Sequence, residues 1–291
     1  MDLTNQLDPC EPLSTLKNIR FSKYAKVVYI FEDYENVFIP ESVTSIRWRS
    51  SGKNLKSFEI SEKNETYKMI DGNLYENGML DVQLTDLDKE LEISYDDYLK
   101  ASYSRVKSVR FTGQTDCFRT GAGMHENITF NDGVYELDIK SSENALLKKL
   151  VIPAGTKVLT CSCGSIETLE LNGDFEKVLI YGCNKIKELI FKGFVKSANI
   201  HSNALLERIE FKGGAEDVEI VESELKSFTA PDSLKRLDIT AGKMESIHLN
   251  DGLTFLSIRA KSLKDLTIPD TVKEIDYCMG SCFEHLDLGK G

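Results

Sequence analysis

From Leu147 to Leu288 the chain repeats one short phrase, apolar-x-x-apolar-x-apolar, fifteen times. It opens at Leu147, Thr156, Ile166, Phe175, Ile186, Val195, Leu206, Ala215, Leu225, Leu234, Met244, Leu253, Leu263, Val272 and Phe283, and gaps of 9 alternate with gaps of 10 or 11. The unit is therefore a pair of phrases about 19–20 residues long, and a fixed period near 20 marks a solenoid. The last two apolar residues of each phrase, such as Leu169 and Leu171, are two apart. That is strand spacing, with both side chains on one face, and the phrases are too short for ordinary helices. Each coil should carry two short strands joined by tight corners. One coil cannot bury its apolar side alone, but stacked coils can. The expected fold is mainly β, a solenoid with two parallel sheets. Its half-coils are nearly equal, so it should be weakly curved. Phrases opening at Ile166, Ile186 and Leu206 define the first phase, and those at Phe175, Val195 and Ala215 the second.

Earlier in the chain the phrase appears at Leu16, Ala25, Tyr34, Val43 and Leu55, and again at Val106, Thr115, His125 and Val134. Another coil should pass through Leu91 and Ile93. Regularity breaks at about 61–84, where Asp71-Gly72 separates two apolar-aromatic runs. Asp-Gly favours a tight turn, which predicts a β-hairpin inserted at a corner. Asp96 to Arg105 is the best helix candidate, and Gly121 and Gly123 suggest a loop with unusual backbone angles. Residues 1–13 read as an N-terminal cap or arm, and 14–291 as a single solenoid.

The chain resembles the BspA-like leucine-rich repeats of bacterial surface proteins. The resemblance is carried by IPESVTSI at Ile39 to Ile46, IPDTVKEI at Ile268 to Ile275 and the near match APDSLKRL at Ala230 to Leu237. DGNLY at Asp71 to Tyr75 looks like that family's irregular insertion, and YGCNKIKEL at Tyr181 to Leu189 like its aromatic-x-Cys turn. The resemblance implies a leucine-rich-repeat solenoid used for adhesion or protein recognition, at the cell surface or secreted, with no catalytic residues.

Hydrophobic content of 41% with 29% charged residues suits a soluble globular class. A formal charge of −11 argues against nucleic acid as the main partner, because phosphate binding needs clustered Lys and Arg. No apolar run approaches the length of a membrane span. The opening MDLTNQLDPCEPL lacks the basic and apolar regions of a signal peptide. The residues alone thus point to the cytoplasm for a full-length chain. Seven cysteines cannot all pair within one chain, and their spacing fits no usual zinc template. A reduced chain is the expectation.

Asn144, Cys163, Cys183 and Asn203 each precede a first-phase phrase by three residues. They should form a corner ladder that satisfies turn backbone groups in the interior. Metal binding by Cys161, Cys163 and Cys183 is the sharper alternative, but zinc normally takes four N or S ligands, so no metal and no cofactor is expected. Cys278 and Cys282 read as corner packing, and Trp48 as core. The histidines are dispersed, and neither HExxH nor Gly-x-Ser-x-Gly occurs, so an enzyme is not expected.

The first-phase outward positions form a mixed polar field. Glu170, Glu188, Arg208, Glu210, Ser227, Ser246 and His248 are the candidate contacts for a protein partner. The second-phase face leans acidic and should attract a basic partner. The alternative is a carbohydrate-binding or carbohydrate-processing solenoid, which needs exposed aromatics and, for hydrolysis, two carboxylates about 5–10 Å apart. Only Gly-Lys-Gly follows the last phrase. An uncapped final coil exposes strand edges, so either a longer chain or self-association through that coil is expected.

Overall fold

The computed structural model describes residues 17–31, 33–49, 54–82, 84, 90–95, 106–121, 125–142, 145–276 and 283–287. The N-terminal arm, the helix candidate at Asp96 to Arg105, Gly123, Asn144, Cys278 and Cys282 lie outside them. Among the described residues the regular structure is strand, with no α-helix. The chain divides into two compact units, Met1–Glu90 with Leu99–Lys107, and Leu91–Tyr98 with Ser108–Gly291.

In the first unit, strands Asn18–Arg20, Asn36–Ile39 and Ser57–Ile60 pair in parallel, as do Val27–Ile30 and Ser45–Trp48. Alternate residues Val28, Ile30, Val37, Ile39 and Phe58 meet in the core. Trp48 is buried and stacks on Phe58 at 5.5 Å. The segment expected as a hairpin is a three-stranded antiparallel meander, Tyr67–Ile70, Asn73–Glu76 and Met79–Val82. Both of its turns place two residues at positive φ, Asp71-Gly72 at 49° and 76° and Asn77-Gly78 at 49° and 82°. Such angles match the twist of paired strands and favour Asn-Gly and Asp-Gly.

The second unit is a parallel β-solenoid of leucine-rich phrases. Its second-phase strands form one unbroken nine-stranded sheet from Thr115–Gly121 to Glu274–Asp276. Inward rungs run through Leu137, Leu159, Val178, Ala198, Val218, Leu237 and Leu256, and all are buried. Every phrase-opening residue from Leu147 to Leu263 is buried as well. On the last described coil Ile275 and Leu286 are 45% and 46% exposed, whereas the preceding rungs Leu256 and Leu266 are 0% and 3% exposed.

First-phase strands behave differently. They form separate groups: Glu90–Ser94 with Ser108–Thr112 and Asn127–Phe130; Lys149–Ile152 through Arg208–Phe211; Ser227–Thr229 with Ser246–His248; and Asp265–Thr267 with His285–Asp287. Coils that stay locked on one face have therefore parted on the other.

Two devices hold the corners. At regular first-phase boundaries a pair of adjacent amides donates to one carbonyl of the preceding coil. Glu167 and Thr168 donate to Lys148 O at 2.8 and 3.1 Å, and Glu207 and Arg208 to Lys187 O at 2.9 and 3.2 Å. Elsewhere glycines let successive backbones touch. A Cβ on Gly193 would lie 2.4 Å from Gly173 O, and one on Gly213 would lie 2.2 Å from the Gly193 carbonyl carbon.

Candidate binding surface

Cys163, Cys183 and Asn203 occupy one buried corner in successive coils. The Cys163 amide donates to Cys183 Sγ at 3.3 Å, and the Cys183 amide to Asn203 Oδ1 at 2.8 Å. Asn203 in turn donates its amide to both oxygens of Glu222, at 3.1 and 3.0 Å, and its Nδ2 to Glu222 Oε1 at 2.6 Å. Each side chain thus accepts the amide of the coil before it, as buried donors require. Sequence reasoning missed Glu222, although the 19–20 residue step from Asn203 leads to it. Burial pushes its carboxyl up to about 7, and the Asn203 donors pull the other way. The next corner residue is Ala241, and there the Glu222 amide turns to Thr240 O at 2.9 Å. Cys161 Sγ lies 3.9 Å from Cys183 Sγ. Hydrogen bonding to Cys163 and Cys183 holds the Cys161 thiol well above its ordinary range. Among the described residues no group of three or more His, Cys, Asp or Glu could hold a metal ion.

The candidate contacts fall into two sets. Glu170, Glu188, Arg208 and Glu210 share the four-stranded first-phase group, where Lys149, Thr168, Glu188 and Arg208 each open a strand. Arg208 bridges Glu188 at 3.3 Å and Glu210 at 2.8 Å. Lys149 pairs with Glu170 at 2.5 Å, and its hydrogen bond lowers the Glu170 carboxyl below the usual range. Ser227, Ser246 and His248 lie on the next group, with Ser227 opposite Ser246 and Thr229 opposite His248. They are exposed, and no strand pairing joins them to Arg208–Phe211.

Between Thr168–Leu171 and Glu188–Phe191 the ladder survives only at Leu171 and Phe191. Lys187 and Glu188 do not donate to Glu167 O, and the Lys187 amide has no acceptor among the described residues. An open groove of ≈ 720 Å³ occupies this parting. Leu169, Leu171 and Ile190 give it apolar lining, and Glu167, Glu170, Glu188, Lys185, Lys187, Lys192 and Lys212 surround it. Its carboxylates are paired, Glu167 with Lys148, Glu170 with Lys149 and Glu188 with Arg208. Lys187, Lys192 and Lys212 have no carboxylate within 4.0 Å among the described residues. Of this site the sequence reading selects Glu170 and Glu188 as contacts; Lys192 and Lys212 are outward positions in that reading but not selected, and Glu167 and Lys187 are not singled out.

On the second-phase sheet the outward acids Glu219, Asp238 and Asp276 belong to one cross-strand row with Ser257 between the last two. Burial raises the Asp217 carboxyl, against the pull of Arg236. Tyr181 and His201 stack at 5.4 Å with planes 9° apart, and the Arg236 guanidinium lies 3.6 Å above the Phe255 ring.

No family model matches the chain, and no curated protein matches it. Among solved structures, a leucine-rich repeat protein from Bacteroides ovatus is similar at 13% sequence identity with a TM-score of 0.27, over 89% of this chain and 85% of that one. Among the described residues no helix is long and apolar enough to cross a membrane.

Proposed function

We propose that this chain is a non-catalytic binding scaffold that recognises a protein partner through the first-phase face between Ile166 and Leu249. One observation carries this reading. An unbroken nine-stranded sheet holds the coils on one side, while the opposite face is divided into separate strand groups, one of which carries a charged groove beside Arg208 where its ladder is reduced to the Leu171–Phe191 pair. Rigid backbone presents the contact side chains at low ordering cost, and Arg is favoured as an interface anchor. The resemblance of the Ile-Pro-acid-hydroxyl-Val runs to BspA-like repeats supports an adhesive role on a bacterial surface.

The test is capture of partners from the chain's natural surroundings at low and moderate salt. It compares the parent with Arg208→Glu and with a second-phase control, Glu219→Lys. The proposal expects a salt-sensitive protein partner that Arg208→Glu loses and Glu219→Lys keeps. A partner lost only with the second-phase change would place recognition on the other sheet and contradict the proposal.

Carbohydrate binding is a second reading, favoured by the parallel, stacked Tyr181–His201 rings, since sugar faces pack against aromatic rings. Retention on a glycan array that Tyr181→Ala abolishes would support it.

A further inference from the structure

The groove at Lys187 carries information about what the partner brings. At the corners on either side, two adjacent amides converge on one peptide carbonyl, Lys148 O before it and Lys187 O after it. At the Lys187 corner the same pair of amides has lost that carbonyl, and the Lys187 amide is left without an acceptor among the described residues. Lys187 and Glu188 are exposed, so an incoming oxygen can reach them. At the neighbouring corners the acceptor is a peptide oxygen. The charges point the same way. The three carboxylates of the groove each pair with a flanking Lys or Arg, Arg208 being shared by Glu188 and Glu210, and among the described residues Lys187, Lys192 and Lys212 have no carboxylate within 4.0 Å. The half-buried Ile190 supplies apolar surface at the groove wall.

We infer that the parting between the coils at Thr168–Leu171 and Glu188–Phe191 receives an extended acidic segment of a protein partner. A peptide oxygen of the segment accepts from the Lys187 amide, and its Asp or Glu side chains meet Lys187, Lys192 and Lys212. This rests on the protein-recognition reading above and names the chemistry of the partner. It also separates the two faces, since the acid-leaning second-phase sheet would repel such a segment. Association steered by these lysines should weaken as salt rises.

The experiment titrates the full chain with fluorescein-labelled hexaglutamate, with hexaglutamine as the neutral control. Variants are Lys187→Glu and Lys212→Glu in the groove and Lys196→Glu on the second-phase strand Val195–His201 as the charge control. Amide exchange at Lys187 is followed with and without hexaglutamate. The inference expects salt-sensitive binding of hexaglutamate over hexaglutamine, a loss of at least about tenfold in both groove variants with little change in Lys196→Glu, and slower Lys187 exchange in the complex. Binding that is absent, that is equal in the groove and control variants, or that leaves Lys187 exchange unchanged overturns it. Equal affinity for oligogalacturonate, a carboxylated sugar chain, overturns the assignment to a peptide. The broader proposal fails separately, when Arg208→Glu leaves capture of the partner intact.

Discussion

The amide of Cys183 donates to Oδ1 of Asn203, one coil further along, at 2.8 Å. The Asn203 amide repeats the gesture toward Glu222. Asn203→Ala removes the Oδ1 acceptor of the Cys183 amide and the Nδ2 donor that Glu222 and the Ile180 carbonyl share, all of them buried, and keeps the backbone amide that faces Glu222. Leaving such groups unpaired costs about 1–3 kcal/mol each, so the variant should lose about 2–4 kcal/mol in urea unfolding. A loss below about 0.5 kcal/mol, the range of ordinary surface changes, would show that the ladder does not hold the corner.

Glu222 makes stability depend on pH. Its folded carboxyl titrates at about 7, above the ordinary 4.5, so the folded chain binds the proton more tightly than the unfolded one. The stabilisation is fully present below the unfolded value, falls as pH rises through the window from about 4.5 to about 7, and is gone above it. Over that window the loss is on the order of 3 kcal/mol at most. Glu222→Gln keeps an acceptor for Asn203 and cannot ionise. Parent and variant should therefore diverge as pH rises from about 5 to about 8, with the parent losing more. Parallel stability curves would remove the buried titration.

Leu169 is buried, and its neighbour Thr168 is exposed. Leu169→Ala should cost about 2–5 kcal/mol. Thr168→Ala should stay within about 0.5 kcal/mol. Similar costs in chemical denaturation would refute the inward register at this coil.

Gly193 sits where a side chain would meet the Gly173 carbonyl of the coil beneath. Gly193→Ala has to push two coils apart, which overpacking measurements place at about 1–3 kcal/mol. Alanine at Gly242, where the nearest atom would be 3.7 Å away, should cost less. Thermal unfolding of the pair checks the contrast, and equal shifts would contradict it.

Much of this was legible in the sequence, for physical reasons that also set the limits. The inward positions from Leu147 to Ile268 could be read because a side chain two residues on returns to the same face. Whether two stacked coils keep their hydrogen bonds could not. Ile166, Ile186 and Leu206 are spaced equally, yet only the boundary between the last two coils is fully bonded. Apolar period reports burial and is silent on ladder closure, so the groove at Lys187 left no mark. Lysines also have no special spacing when they simply lack acids nearby. Glu222 was hidden because the ladder changes chemistry from Cys to Asn to Glu while keeping its step. The second meander turn was different, since Asn77-Gly78 is a strong hairpin signal that stood in plain view.

The first-phase face opens at Lys187, and native-state amide exchange measures this directly. Closed corners should protect Glu207 and Arg208 by about 100-fold or more, while the Lys187 amide exchanges at close to the unprotected rate. Equal protection at Lys187 and Glu207 would mean that the ladder is closed across this boundary, and the groove with its proposed occupant would have to be abandoned.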